Sequence, residues 1–214
     1  MVQTNQNGLT VTPGSFTTLR SQFNQTGLAQ LPGFLAPRPL ELLLNMIESA
    51  SFELKDEISR KSGAVFGTTQ FMSRTDPVMI ALYFLLNREA LYDMAAEACA
   101  VPRPRTFTCR LHRTTAATDQ HIDWHDDATD GRLLGLNINL SSERFGGGLF
   151  QLRDSEKRVT GEVKHTVPGD AFLFKIGQGW QHRLTRVESG VRTVAVGWFR
   201  LPPDWERWLS AQHG

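Results

Sequence analysis

The hydrophobic period of this chain changes near residue 105, and that change limits the folds open to it. Before it, Leu40, Leu43, Leu44 and Ile47 recur at helical spacing, as do Leu91, Met94, Ala95 and Ala98. After it, Phe107, Cys109 and Leu111 alternate with Thr108, Arg110 and His112. Leu134, Leu136, Ile138 and Leu140 alternate in the same way with Gly135, Asn137 and Asn139. A period of two belongs to strands with one apolar face and one wet or functional face. Helices gathered before a run of short strands predict an α+β protein, with N-terminal helices packed on one face of a jelly-roll or cupin-like barrel.

Local punctuation sets the boundaries. Pro32-Gly33 followed by Pro37 and Pro39 feeds the first helix. Asp76-Pro77 is an N-cap and first-turn pair for a second helix running through Leu86, and Asn87 is placed to cap a third that ends before Pro102. Gly146-Gly147-Gly148 marks a turn or bulge, and Pro168-Gly169-Asp170 a tight turn before the buried strand of Phe172 and Phe174. No repeat or low-complexity run divides the chain, so one domain is expected over 1–214. It comprises a mainly helical part (1–104), a barrel (105–200) and a tail (201–214) with a short helix capped by Asp204. The Gln/Asn/Thr-rich residues 1–30 offer little to bury, and the first dozen are expected to be poorly ordered.

Bulk properties exclude some partners. A formal net charge of +1 gives no general attraction to nucleic acid or to an anionic membrane. Met1-Val2-Gln3-Thr4 lacks the basic start and apolar run of a secretory signal. The longest apolar run, Val78 to Leu86, is about half of the ~20 residues a bilayer needs. Cys99 and Cys109 make no disulfide framework, and a cytoplasmic protein with reduced thiols is expected.

The chemistry concentrates in Trp124-His125-Asp126-Asp127, His182 and Arg192. His-x-Asp followed by a distant His is the spacing of a two-histidine, one-carboxylate facial triad, which holds Fe(II) and leaves the opposite face open. His125 and Asp127 share strand parity, and His182 must come from another strand. His121-Ile122-Asp123 is a second His-x-Asp of the same parity, so alternation does not choose between the pairs. The closer approach of His125 and Asp127 to Arg132 favours the downstream pair, which leaves His121 and Asp123 near the mouth as substrate contacts. Arg192, returning on a neighbouring strand, offers a bidentate fork to a carboxylate.

In order, Trp124-His125-Asp126-Asp127, the strand Arg132 to Ser141, Gly146-Gly147-Gly148, Pro168-Gly169-Asp170, Gln181-His182-Arg183 and the run from Gly190 through Arg192 to Trp198-Phe199 compose a pattern. Over residues 105–200 it resembles the double-stranded β-helix core of the 2-oxoglutarate/Fe(II)-dependent dioxygenases, in their prolyl-hydroxylase-like branch. The resemblance implies Fe(II) held by His125, Asp127 and His182, 2-oxoglutarate anchored at its distal carboxylate by Arg192, and O2 at the open face. It further implies hydroxylation of an unactivated C–H bond with succinate and CO2 as co-products. Related halogenases carry Gly or Ala at the position of Asp127, so hydroxylation is favoured over halogenation. Several relatives place a Ser two residues past the arginine, where Val194 stands here. A second contact to that carboxylate then falls to Asn137 or Asn139, unless these are ordinary strand polar groups.

Two other readings stay open. A cupin-type oxygenase would use His121, His125 and His182 without a 2-oxo acid, leaving Arg192 unexplained, and a ligand-binding barrel would turn nothing over. Substrate contacts are expected from Arg132 and Trp180 beside His121 and Asp123, although Trp180 fits equally well as packing on the rim. Arg110, Arg113, Arg132 and Arg153 are placed either to meet an anionic substrate or as exposed strand-end residues. His112, His165 and His213 read as structural or surface groups. An amino acid, free or in a peptide, or another small metabolite is the expected substrate class.

Overall fold

Asp76 Oδ1 accepts a hydrogen bond from Val78 N at 3.1 Å and Pro77 fills the first turn, so the helix begins where these residues predict. A computed structural model describes residues 1–58, 65–72, 76–117, 121–128, 131–164 and 167–202; the expected helix at Asp204 and the histidines His165 and His213 lie outside them. Four helices are present among the described residues: α1 (Ser15–Thr26), α2 (Pro37–Glu48), α3 (Pro77–Leu86) and α4 (Glu89–Cys99). In α2 the buried side chains are Pro39, Leu43 and Ile47, and in α4 they include Leu91, Met94, Ala95 and Ala98. Asn87 caps the end of α3 rather than the start of α4, because its side chain is used by the neighbouring strand. Its amide donates to Phe107 O at 2.9 Å and accepts from Phe107 N at 2.8 Å.

The helical reading of residues 1–104 omits five strands: β1 (Val2–Asn5), β2 (Gly8–Val11), β3 (Leu28–Leu31), β4 (Phe52–Ile58) and β5 (Val65–Met72). β1 and β2 form a hairpin with Val2 and Thr4 buried, so the expected disorder of the first dozen residues is corrected. The helix α1 has only Leu19 and Phe23 to bury in a polar stretch. Its stability comes from packing on its neighbours rather than from its own propensity.

Ten further strands follow: β6 (Thr106–Thr115), β7 (Ile122–His125), β8 (Arg132–Asn139), β9 (Gly146–Gly147), β10 (Phe150–Arg153), β11 (Val159–Val163), β12 (Ala171–Lys175), β13 (Gln181–Leu184), β14 (Val187–Ser189) and β15 (Val191–Arg200). Among the described residues the main sheet runs β11-β10-β13-β7-β5-β6-β15-β8-β12-β3, with β4 on β5. Every pairing in it is antiparallel. The order folds into two four-stranded faces, β6-β15-β8-β12 and β7-β13-β10-β11, joined through β5, which among the described residues pairs with β6 at Gln70–Arg113 and Phe71–His112 and with β7 at Phe66–Ile122. The faces meet through aromatic rings: Phe150 on β10 lies 4.7 Å from Phe172 and 5.0 Å from Phe174 on β12. This is the double-stranded β-helix.

Alternation gives each strand two cores. Phe107, Leu111, Leu134, Leu136, Ile138, Leu173, Ala195 and Phe199 pack with the helices in one cluster. Phe150, Leu152, Phe172 and Phe174, from the intervening positions, fill the barrel in another. Gly135 lies opposite Phe174 in the register of β8 and β12, and a Cβ on it would meet the Phe174 ring at 2.0 Å. That ring sits 4.8 Å from His182, so the missing side chain at 135 sets the position of a site residue. Gly135→Ala is expected to cost about 1–3 kcal/mol by overpacking. It would be read as a lower urea midpoint at unchanged slope; a midpoint equal to that of the parent would show that the ring yields freely.

Candidate metal centre

The triad residues converge from two adjacent strands and a loop. His125 ends β7 and pairs in register with His182 on β13, which brings the two rings to 4.2 Å between centroids. Asp127 follows in the loop after β7, His125 Nε2 lying 3.8 Å from its Oδ1 and His182 Nε2 3.4 Å from its Oδ2. One ligand atom from each residue falls within 4.8 Å of the others. Adjacent donors bonded at about 2.1 Å to one ion lie about 3 Å apart, so small side-chain adjustments suffice to share one.

Tautomer and orientation are fixed from behind. His125 Nδ1 lies 2.8 Å from Asp123 O, and because a carbonyl only accepts, Nδ1 carries the proton and Nε2 presents its lone pair to the cluster. Both oxygens of Asp127 are engaged: Arg132 Nη1 lies 3.3 Å from Oδ1 and Trp198 Nε1 donates to Oδ2 at 2.7 Å. The Arg132 guanidinium in turn stacks 3.8 Å over the Trp198 ring. His182 is held between Phe150 and Phe174 at 5.4 and 4.8 Å.

Electrostatics follow from burial. Burial raises the Asp127 carboxyl, but the hydrogen bond from His182, the nearby histidine rings and the Trp198 N–H outweigh it and hold the carboxyl well below its usual range. Burial, reinforced by His182, pushes His125 down to about 4. The site therefore presents two imidazole nitrogens and a carboxylate, the donor set suited to Fe(II) with open positions opposite.

Arg192 is 3% exposed on the barrel side of β15, and burial pushes it down to about 10, so it stays cationic at neutral pH. Among the described residues no carboxylate pairs with it, and its Nε is buried without a hydrogen-bond partner. Gly148, at φ +60°, leaves space for it; a Cβ there would come within 2.9 Å of Arg192 Cδ. Thr114 lies opposite Arg192 in the β6 register, and the buried Thr114 Oγ1, Asn137 Oδ1 and Asn139 Nδ2 also lack partners. Asn139 Oδ1 accepts from Ser141 N at 3.0 Å, which fixes that amide with its nitrogen spare. Buried polar groups left open in this way point to a polar occupant.

The remaining predicted residues separate. His121 and Asp123 pair with each other at 3.6 Å with side chains 42% and 60% exposed, outside the buried cluster. Trp180 packs against Gly27 and beneath Lys175 Nζ, at 4.6 Å, beside the barrel's aromatic cluster. Sequence reasoning missed Thr114, Trp198 as a donor to Asp127, and His112. His112 is half-buried on the barrel face of β6, the structural of its two expected placements; burial, then Arg110 and Arg192, push it down to about 3. The signal was the parity that His112 and Thr114 share with Arg110, readable once β6 is known to pair with β15.

The two depressed histidines set a pH dependence. The unfolded chain, at the ordinary value of 6.5, binds protons that folded His112 and His125 refuse. The metal-free protein therefore holds this stability in full above pH 6.5 and loses it as pH falls toward about 4 for His125 and about 3 for His112, while protonation of Asp127 adds a loss only below its ordinary 3.8. A His112→Gln protein should show a shallower fall in urea midpoint between pH 7 and 5. Parallel curves for parent and variant would remove His112 from this account.

Residues 109–200 match the family described as the 2OG-Fe(II) oxygenase superfamily. Among solved structures, a 2OG-Fe(II) oxygenase-family oxidoreductase from Burkholderia pseudomallei aligns with TM-score 0.68 at 16% identity, over 91% of this chain and 94% of that one. A Pseudomonas putida prolyl-4-hydroxylase aligns with TM-score 0.61 at 15% identity, over 88% and 99%. A prolyl hydroxylase from Trichoplax adhaerens, in complex with a hypoxia inducible factor oxygen degradation domain peptide fragment, aligns with TM-score 0.63 at 15% identity, over 91% and 92%. No curated protein sequence matches the chain. At these identities the structural likeness speaks for the fold, while the match to the 2OG-Fe(II) oxygenase superfamily, over residues 109–200, covers the strands that carry His125, His182 and Arg192 and the loop that carries Asp127.

Proposed function

We propose that this protein hydroxylates an unactivated C–H bond of an amino acid, free or within a peptide, with His125, Asp127 and His182 holding Fe(II) and Arg192 anchoring 2-oxoglutarate. Fe(II), 2-oxoglutarate and O2 are the set that the family and a His-Asp-His site fit. The observation that carries the co-substrate is Arg192, a buried cation with no carboxylate partner among the described residues. A guanidinium fork in low dielectric suits a planar carboxylate better than a point charge does. Val194 and Val196, on the same face of β15, suit the methylene chain, and Thr114, Asn137 and Asn139 are the candidates for its remaining hydrogen bonds. When bound, the metal and co-substrate supply a two-electron oxidation: O2 gives one oxygen to succinate, formed with CO2, and one to the substrate. The chain's own part is to fix the donors through Asp123, Arg132 and Trp198, and to keep water out with the Phe150, Phe172 and Phe174 rings.

The substrate class draws support from the prolyl hydroxylases of like fold. With a net charge of +1 no nucleic-acid substrate is proposed. No helix among the described residues is long and apolar enough to cross a membrane. Cys99 and Cys109 are free and burial raises both thiols, in keeping with the cytoplasmic placement we propose.

His125→Ala, Asp127→Ala and His182→Ala should each abolish iron retention by elemental analysis, whereas His121→Ala and Asp123→Ala should retain iron. Iron lost from the His121 variant but kept by the His125 variant would move the site upstream. Adding 2-oxoglutarate to the anaerobic Fe(II) protein should produce a visible absorption band that neither component gives alone. Arg192→Ala should keep iron and weaken 2-oxoglutarate by about 30-fold or more, since removing one partner of a buried charge pair costs about 2–5 kcal/mol. A change below about threefold would exclude Arg192 as the anchor.

A further inference from the structure

An antiparallel strand bonds its two neighbours at alternate residues, and on β6 that alternation leaves Cys109 open. Just past the strand, Ala116 N donates to Gly190 O at 3.3 Å. The even-numbered residues of β6 therefore turn their backbone groups toward β15, and the odd-numbered ones turn theirs outward. Two outward residues have their partners: Arg113 pairs with Gln70 of β5, and the Asn87 amide caps Phe107 at both N and O. Among the described residues β5 goes no further along β6 than Phe71 opposite His112, and no partner is bonded to the outward N–H and C=O of Cys109. Proline, lysine and bulges, which commonly close a sheet edge, are missing between Thr106 and Leu111.

This edge opens on a cleft of about 360 Å³, within the ~300–1,000 Å³ of ligand pockets. Thr108, Cys109 and Arg110 line one side of it, and Met79, Ile80 and Tyr83 of α3 the other. Ile80 and Tyr83 are 48% and 54% exposed, so uncovered apolar surface lies across from open main-chain groups. Trp198 lines the same cleft, and its indole donates to Asp127 at 2.7 Å. A purely apolar ligand would cover the α3 wall and leave Cys109 unmet. An extended peptide meets both, because one of its residues exchanges two hydrogen bonds with the strand residue it faces.

We infer that a peptide binds this edge of β6 as an added antiparallel strand, one residue exchanging both main-chain hydrogen bonds with Cys109, and that this peptide carries the residue to be oxidised. The inference rests on the oxygenase reading above for calling the peptide a substrate, but not for the binding itself. It narrows the amino-acid class to a residue within a chain. Pairing also fixes where the side chains go. The residue opposite Cys109 shares its face, the one packed with the helix-side core, and so meets Met79, Ile80 and Tyr83. Its two neighbours point to the other face, that of Thr108, which lies opposite Trp198 in the β15 register, on the side of Asp127. The edge selects an apolar anchor with the reacting residue next to it.

Calorimetric titration of the anaerobic Fe(II) protein, saturated with 2-oxoglutarate, tests this. The probes are acetyl-Ala-Ala-Leu-Ala-Ala-amide, the same peptide with Asp for Leu, and two N-methylated forms of the Leu peptide. The Leu peptide should bind tenfold or more tightly than the Asp peptide. Methylating the Leu nitrogen, which faces β6, should weaken it tenfold or more, because the Cys109 carbonyl is then left unmet. Methylating the next nitrogen, which faces away, should change affinity by less than threefold. Cys109→Pro removes the outward N–H and leaves the β15 ladder whole, and should bind the Leu peptide tenfold more weakly than Cys109→Ala does. If the proline variant fails to fold, the two methylations decide the matter on the parent protein. No binding of the Leu peptide, or equal losses from both methylations, overturns the inference. So does a dimer that Cys109→Pro turns into a monomer in sedimentation, which would give the edge to a second copy. A protein that binds no 2-oxoglutarate, yet shows the alternating losses, would sink the oxygenase reading and leave the peptide edge standing.

Discussion

β15 is paired along most of its length on both sides, with β6 from Thr106 to Thr115 and with β8 from Arg132 to Asn139, and the site depends on that burial. A strand covered on both edges cannot slip in register without reversing every side chain it carries. On β15 the cost of such a slip is unusually high. Ala195 and Phe199 face the helices, while Arg192, Val194, Val196 and Trp198 face the barrel. A shift by one residue would press a guanidinium into an apolar core. The same alternation that secures the fold therefore places the buried Arg192 cation at one end of the strand and the donor to Asp127 at the other.

Much of this was legible in the residues. Alternation between Phe107 and Leu111 and between Leu134 and Leu140 identified β6 and β8, and the Pro-Gly-Asp turn located β12. What escaped was non-local. The strands β3, β4 and β5 exist because partners elsewhere pair with them: Leu28 to Leu31 is a strand because it lies along β12. Asn87 looked like a cap for α4, yet it satisfies the backbone of Phe107, a choice only the approach of β6 can make. Propensity has no access to such contacts.

The two His-x-Asp pairs illustrate the same limit at the site. Parity made them equivalent, and what separates them in space is pairing: His125 lies opposite His182, whereas Ile122, next to His121, lies opposite Leu184. The bulge between those two pairs changes the spacing along β13 relative to β7, and no count along a single strand contains it. His121 is left paired with Asp123 near the solvent, and Asp123 serves the site through its backbone carbonyl rather than its carboxylate.

Charge balance ties the parts of the site together. Asp127 is held ionised by the groups around it, and Arg192 remains cationic although buried. Placing a dication alone on the triad, or a dianion alone on Arg192, would leave two further unit charges in a barrel lined by Phe150, Phe172, Phe174 and valines. Such charges are costly in low dielectric unless paired. On the proposed reading Fe(II) and 2-oxoglutarate cancel one another, so each should favour the binding of the other, a coupling that is reciprocal by thermodynamic necessity. His112, within electrostatic reach of both Arg192 and Asp127, fits this balance only as a neutral ring, which is the state its burial imposes.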